Sequence, residues 1–378
     1  MLYILNALMK ILHINSYYIA APFYKNLYDL QNKEFEISVY IPISEKYAHV
    51  DKDFGKYSEK SVVFREQDRP FFFRKHRKIL EDIESKYSIE SYDLIHAHSL
   101  FSNGYIAYEL NKKYGIPYVV AVRNTDVNIF FKKMLHLRKL GKEILENASK
   151  VVYISEPYRE LVLKKYMKQN KNYSVEKTVV IPNGIDQYWI DNLNKNRKEL
   201  DLSRGLNILS VGDVEKNKNQ SKTAIACKKL EAKYGKVKFN VVGRKNDKRF
   251  YKKLEKNSFF EYYGTKKKND LIDIYRENDI FVMPSKTETF GIVYAEAMSQ
   301  GLPIIYTEHQ GFDGQFEEGV VGYHVNSEDE NDIVKKIEMI IKNYDFLSKK
   351  CIEKVHKFKW ENIVNIYSDI YDDIVRRK

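Results

Sequence analysis

"DIFVMPSKTETFGIVYAEAMSQGLPII" runs from Asp279 to Ile305. "DIFVMPS" is a short apolar run of the kind that forms a strand buried on both faces. A polar loop follows and carries Glu288. From Thr289 to Gln300 the pattern is helical. Gly301 suits the position after a helix, and Pro303 forbids continuation. A new apolar run, "LPIIYT", begins at Leu302. Strand, helix and strand in this order imply a parallel sheet with a right-handed crossover. The free N–H groups of Thr289, Phe290 and Gly291 at the helix start form a candidate anion site. Gly291 lets a ligand approach the backbone closely. Glu296 is the only charged residue between Thr289 and Gln300. Burying an unpaired carboxylate is costly, so Glu296 needs a partner. That partner is either the hydroxyls of a bound sugar or ribose, or a lysine or backbone group of the protein.

The same alternation extends along the chain. Further candidate strands start at Lys10, Glu36, Asp93, Pro117, Lys150 and Thr178, then at Asn207 and Val237. Helical patterns lie between them, as at Ser102–Tyr114 and Gln220–Tyr234. The polar stretch Asp191–Arg204 has no core pattern. The sequence therefore predicts an α/β protein of two doubly wound, Rossmann-like domains. The first covers 1–188, a linker covers 189–205, and the second covers 206–359. A closing helix, 360–378, has apolar positions Ile363, Ile366, Tyr367, Ile370, Tyr371 and Ile374. Two such domains facing each other leave a cleft, and ligands of open parallel sheets sit at the carboxyl ends of the strands.

Composition narrows the class. The chain has 378 residues, 43% of them hydrophobic, which suits two domains. No apolar run reaches the roughly 18 residues a bilayer span needs. The start, "MLYILNALMKILHIN", lacks an early basic region and a small-residue cleavage site, so it reads as a short extension before a first strand, with Met9 as another candidate start. Cys227 and Cys351 are far apart and form no disulfide or zinc pattern, which predicts a reducing, cytoplasmic setting. The net charge of +12 implies anionic partners.

"ETFGIVYAEAMSQGLPII" resembles the glutamate-x7-glutamate motif of glycosyltransferase family 4, the retaining glycosyltransferases of GT-B fold. "YRENDIFVMPS", "IPNGID" (Ile181–Asp186), "ILSVGDVEKNKNQ", "KWENIVNIYSDIY" and "DLIHAHSLFSNG" resemble other segments of that family in the expected order. The resemblance implies roles. Glu288 would lie beside the donor sugar as a catalytic group. Thr289, Phe290 and Gly291 would hold sugar and phosphate through their N–H groups. Glu296 would contact the nucleotide ribose, and Lys218 would neutralise the diphosphate. Gly212, Asn183 and Arg244 join the expected donor site. Arg123 and Asp126, after the strand "PYVVAV", are expected at the catalytic centre.

The chain departs from the family pattern in places. Asp213 stands where the family often has arginine, so either Lys216 or Lys218 would carry the phosphate, or Asp213 would orient one of them. The stretch after the first strand, "NSYYIAAPFYKN", lacks the usual glycines, which puts the contact at Ser16–Ala21 in question. Arg123 replaces a histidine and either binds an anionic group or pairs with Asp126. His96 and His98 share one strand face, but with no third ligand evident no metal site is assigned. "DKD" at Asp51–Asp53 reads as a solvated turn.

The expected reaction is transfer of a sugar from a nucleotide-sugar donor, UDP- or GDP-linked, to a glycan or lipid-linked acceptor. It would retain anomeric configuration, need no cofactor or metal, and serve surface-polysaccharide synthesis. "RPFFFRKHRKIL" (Arg69–Leu80) and "FFKKMLHLRKLGK" (Phe130–Lys142) mix aromatic and basic residues. They suit either an anionic membrane surface on the inner leaflet or amphipathic core helices with Lys-rich outer faces. Two other readings are a sugar-nucleotide epimerase on the same fold and a basic nucleic-acid-binding protein. The glutamate pair argues against the first. Against the second, no nucleic-acid-binding signature is found, so no nucleic-acid partner is expected.

Overall fold

The computed structural model describes residues 8–168, 175–195 and 199–377. Part of the N-terminal extension, 1–7, and part of the expected linker, 196–198, lie outside these. The chain folds into two compact units. The first comprises Met1–Ile154, Tyr158–Pro182 and Trp360–Lys378, and the second Ser155–Pro157 and Asn183–Lys359.

The first unit holds a seven-stranded parallel sheet. Its strands are β1 (Lys10–Ile14), β2 (Glu36–Ser44), β3 (Ser58–Phe64), β4 (Leu94–Ala97), β5 (Tyr118–Val122), β6 (Lys150–Tyr153) and β7 (Thr178–Val180). Their spatial order is β3-β2-β1-β4-β5-β6-β7. Order reverses at β1, where β4 pairs on the side opposite β2, which is the topological switch point of such sheets. The inner strands are apolar on both faces because helices cover both. One face packs under the helices Phe72–Lys86, Gly104–Tyr114 and Arg138–Asn147. The other packs under Tyr24–Gln31 and Trp360–Arg376.

The second unit holds a six-stranded parallel sheet. It consists of β8 (Leu206–Val211), β9 (Val237–Val242), β10 (Phe260–Gly264), β11 (Ile280–Val282), β12 (Ile304–Thr307) and β13 (Gly322–Val325), in the order β10-β9-β8-β11-β12-β13. The helix Gln220–Tyr234 begins and ends where its sequence pattern does. Three strands were not anticipated: β3, β10 and β13. All three are sheet edges, and their sequences, "SEKSVVF", "FEYYG" and "GYHV", mix polar and apolar residues. An edge strand borders solvent, so it lacks the continuous apolar run of a central strand.

The segment after Pro182 is bound into the second unit by groups that carry no periodicity. Trp189 and Ile190 are buried. Asn194 donates from its backbone N–H to the Ser299 carbonyl (3.1 Å) and from Nδ2 to the Gln300 carbonyl (3.2 Å).

The closing helix Trp360–Arg376 completes the first unit's core through Trp360, Ile363, Val364, Tyr367 and Tyr371, whereas Ile366 faces outward. The Tyr371 hydroxyl meets His96 Nδ1 at 2.6 Å and accepts from Gln31 Nε2 at 3.2 Å. Removing a buried partner leaves the other polar groups unsatisfied, at about 1–3 kcal/mol. Tyr371→Phe should therefore lower the unfolding free energy by about that amount, read as an earlier denaturant midpoint at unchanged slope.

Candidate functional site

The second unit's polar groups converge because β8 and β11 are neighbours, with Ile280 opposite Ile208. The loops leaving their carboxyl ends therefore run side by side. Asn217 staples them together. Its Nδ2 donates to the Thr287 carbonyl (3.0 Å), its Oδ1 accepts the Thr287 N–H (3.1 Å), and its carbonyl accepts the Lys286 N–H (2.8 Å). Asn219, at a left-handed φ of 58°, donates from Nδ2 to the carbonyls of Pro284 (3.2 Å) and Ser327 (2.6 Å). Asparagine tolerates that backbone region better than most residues.

Lys218 sits between these two asparagines and is delivered onto Glu288, Nζ to Oε2 2.7 Å. The pair is largely shielded, with side chains 21% and 13% exposed. The other oxygen, Oε1, accepts the Thr289 N–H at 3.1 Å. Behind Glu288, its N–H donates to Gln310 Oε1 (3.0 Å) and its carbonyl accepts the Gly311 N–H (2.9 Å). A Cβ on Gly311 would collide with the Thr289 carbonyl, so only glycine lets this loop brace Glu288. Asn217, Asn219, Gln310 and Gly311 were not singled out from sequence. They act through loop-to-loop contacts that no local pattern reports.

The helix itself is Ile292–Ser299, with Gly291 as its N-cap at φ 75°. A Cβ there would strike the Tyr294 ring as well as strain the backbone. Among the described residues no acceptor takes the N–H of Phe290 or Gly291. The Phe290 side chain is core, packed with Phe312 and Phe358, so Phe290 offers the site its backbone alone. Gly212 lies beside the Lys218 stem, where a Cβ would stand 3.5 Å from Cε, an ordinary van der Waals contact. Asn183 opens the second unit's main segment, two residues before Ile185, whose N–H donates to the Phe358 carbonyl (3.0 Å).

Asp213 orients an arginine, where the sequence reading had a lysine. Arg244 meets it in bidentate fashion, Nε to Oδ1 3.1 Å and Nη2 to Oδ2 2.7 Å, and Asn246 adds a third bond at 2.7 Å. The arginine's hydrogen bonds hold the Asp213 carboxyl below its ordinary range. Lys218 is left to Glu288.

Glu296 has protein partners. The Tyr275 hydroxyl donates to Oε2 at 3.2 Å, and Trp189 stands edge-on to Tyr275 with ring centroids 5.5 Å apart. Burial pushes the Glu296 pKa up to about 7, while Tyr275, Trp189 and Lys268 pull the other way.

In the first unit, Arg123 and Asp126 follow β5. Asp126 is fully buried and spends its oxygens on backbone: Oδ2 accepts from Leu100 (3.0 Å) and Arg123 (2.8 Å), Oδ1 from Phe101 (3.1 Å). Burial raises its pKa to about 6. These contacts fix the turn that carries Arg123. The Arg123 guanidinium donates from Nε to the His98 carbonyl (3.3 Å) and lies over the Tyr24 ring (5.9 Å). His96 and His98 gain a third neighbour, His13, opposite His96 in the β1–β4 register. Ligand atoms of the three lie within 4.8 Å of one another. His13 Nδ1 contacts His98 Nε2 at 3.1 Å, and burial lowers all three pKa values. No local pattern links His13 to this pair, because it stands on another strand, some eighty positions away.

Comparison with known proteins agrees with this architecture. The family model described as Glycosyl transferases group 1 matches residues 193–358, and that of Glycosyltransferase Family 4 matches 29–187. An uncharacterized glycosyltransferase of Methanocaldococcus jannaschii, MJ1178, is 27% identical over 75% of this chain and 76% of its own. The alpha-monoglucosyldiacylglycerol synthase of Streptococcus pneumoniae is 25% identical over 87% of this chain and 78% of its own. Among solved structures, Anabaena Alr3699/HepE in complex with UDP superposes with a TM-score of 0.71. It is 16% identical and covers 96% of this chain and 99% of that one. The chain belongs to the group 1 glycosyltransferases and has their GT-B fold.

The raised Glu296 pKa has a stability consequence. Below about pH 4.5 the carboxyl is protonated in both folded and unfolded chains. Between about 4.5 and about 7 the unfolded chain releases the proton first, so stability falls as pH rises through that window. Glu296→Gln removes this cost. It should stabilise the protein by about 2–3 kcal/mol at pH 8 and leave it unchanged at pH 4, measured by denaturant titration at the two pH values.

Proposed function

We propose that this enzyme moves a sugar from a nucleotide-sugar donor to a glycan or lipid-linked acceptor, with retention of configuration, in surface-polysaccharide synthesis. The observation that carries the reading is the Lys218–Glu288 pair beside the unclaimed N–H groups of Phe290 and Gly291. A nucleotide diphosphate leaves as an anion, and fixed cations and N–H dipoles stabilise it as the bond breaks. Lys218 and these N–H groups supply that countercharge from the chain itself, without a metal. As the diphosphate draws Lys218, Glu288 is released to accept hydrogen bonds from the donor sugar's hydroxyls. The acceptor hydroxyl attacks the anomeric carbon from the face the diphosphate leaves. The carbon–oxygen bond to phosphate breaks, and the departing phosphate oxygen takes the hydroxyl proton. Arg244, held out by Asp213, stands ready for the nucleotide, and Glu296 for its ribose. The UDP complex of the Anabaena neighbour favours UDP as the first donor to try.

Donor binding is tested by thermal shift with UDP, GDP and their sugar conjugates. A ligand specific to the folded state stabilises it by about 2.7 kcal/mol at ~100 times its dissociation constant. Lys218→Met should abolish the shift. Glu288→Gln should keep nucleotide binding and lower turnover by about 100-fold or more, assayed in the presence of a chelator. Near-normal turnover of the Glu288→Gln enzyme would remove Glu288 from the mechanism. Product NMR reads the anomeric configuration, and inversion would reject the retaining reading.

Inner-leaflet attachment is supported by the helix Phe72–Lys86. Phe72, His76, Ile79 and Ile83 face its core, yet Phe71 and Phe73 are 59% and 57% exposed among arginines and lysines. No helix among the described residues is long and apolar enough to cross a membrane. Flotation with anionic vesicles should carry the wild type and lose the Phe71→Ser/Phe73→Ser double variant. Failure of the wild type to float rejects attachment.

A further inference from the structure

The first unit contains a cavity of about 410 Å³ on the edge of the sheet where the strands end. Ser16 follows β1, Ser44 closes β2, Phe64 closes β3, Ser102 follows β4 and Thr125 follows β5, and all five line it. Its walls are otherwise largely apolar, with Ile79 and Phe130 among them. Two cations, Arg69 and Lys75, also reach it.

Apart from Lys75, the cations of this segment have carboxylate partners, two of them sharing Asp68. Arg69 pairs with Glu66 (2.9 Å), Arg74 and Lys78 with Asp68 (3.2 and 2.7 Å), and Arg77 with Glu81 (3.9 Å). Lys75 has no carboxylate partner among the described residues. Its ammonium lies 5.4 Å from the centre of the Phe64 ring, and Arg69 stands 6.0 Å from the same ring. Burial and the Arg69 charge lower its pKa to about 8. Lys75 is half-buried in the cavity wall, where the Phe64 ring is its neighbour and no carboxylate among the described residues neutralises its charge.

We propose that this cavity binds a phosphate monoester with Lys75 as the residue that holds the phosphate. A lysine is a point charge with three donors, which suits a tetrahedral phosphate, whereas a planar carboxylate is matched better by an arginine fork. The hydroxyls of Ser16, Ser102 and Thr125 offer further donors around the cavity. The apolar wall accommodates the rest of the ligand. That this ligand is the sugar acceptor rests on the transfer reading above; that the cavity binds a phosphate does not.

The test is calorimetric titration of the full chain, with no nucleotide sugar present. The probes are hexyl phosphate, glucose 6-phosphate and hexanoate. The wild type should bind at least one of the two phosphates more tightly than hexanoate. A preference for hexyl phosphate identifies an acceptor with an apolar tail, and one for glucose 6-phosphate a soluble sugar phosphate. Lys75→Met should weaken the bound phosphate by about 10- to 100-fold, and Lys75→Arg should retain most of the affinity. Lys75→Met should also unfold at the same temperature as the wild type or higher, because it removes a cation that no carboxylate neutralises. The proposal is overturned if neither phosphate binds, if hexanoate binds equally well, if Lys75→Met binds unchanged, or if Lys75→Met loses several degrees of thermal stability. These outcomes are independent of donor binding, so the transfer reading stands or falls separately.

Discussion

Parallel strands all finish on the same edge of their sheet, and the candidate chemistry of this protein stands on such edges. In the second unit, the loops leaving β8, β9, β11 and β12 supply Lys218, Arg244, Glu288 and Gly311 respectively. In the first, the loops leaving β4 and β5 supply His98 and Arg123. The backbone geometry of a parallel sheet forces this: each return path is a helix on a face, so one end of every strand is free for irregular chain. Loop identity can vary while the rigid strands keep the loops within reach of one another. Asn217 shows what the constraint asks of a sequence. One amide side chain, bonded on both its oxygen and its nitrogen, converts two adjacent loops into one platform.

Charge in the second unit's candidate site is arranged in matched pairs: Lys218 with Glu288 and Arg244 with Asp213. Pairs of this kind contribute little to stability when exposed and can cost it when buried. Their placement is better understood as holding long side chains in one rotamer. A guanidinium gripped at both ends by Asp213 is already oriented, so less side-chain entropy remains to be lost when it meets an anion. The departure from the family pattern at Asp213 thus turns an apparent defect into a support.

Much of this could be read from the sequence, and the failures have common causes. Central strands announce themselves because both faces are buried; β3, β10 and β13 do not, because an edge is half solvated. Glu296 stands out because a charge in an apolar setting is conspicuous, whereas Lys218 and the role of Glu288 came from the resemblance to the family's motifs. The Tyr275 hydroxyl on Glu296, the backbone contacts of Asp126 and the side-chain burial of Phe290 were not found. Each depends on which face a residue presents in three dimensions, and spacing along the chain does not fix that. The boundary region after Pro182 illustrates the same limit. Polar composition suggested a free linker, yet two buried side chains and one asparagine tie it down.

The closing helix imposes an order on assembly. Gln31 and His96 are made early, but the hydroxyl that satisfies both belongs to Tyr371, 340 and 275 residues further on. As the chain leaves the ribosome, the first unit's strands emerge first, while the helix that covers one face of their sheet emerges last. The second unit has its whole sequence available before that moment. Of the two units, the first is therefore the last one able to finish. Through most of synthesis it exposes an apolar sheet face, the kind of surface that chaperones recognise and that aggregates when left uncovered.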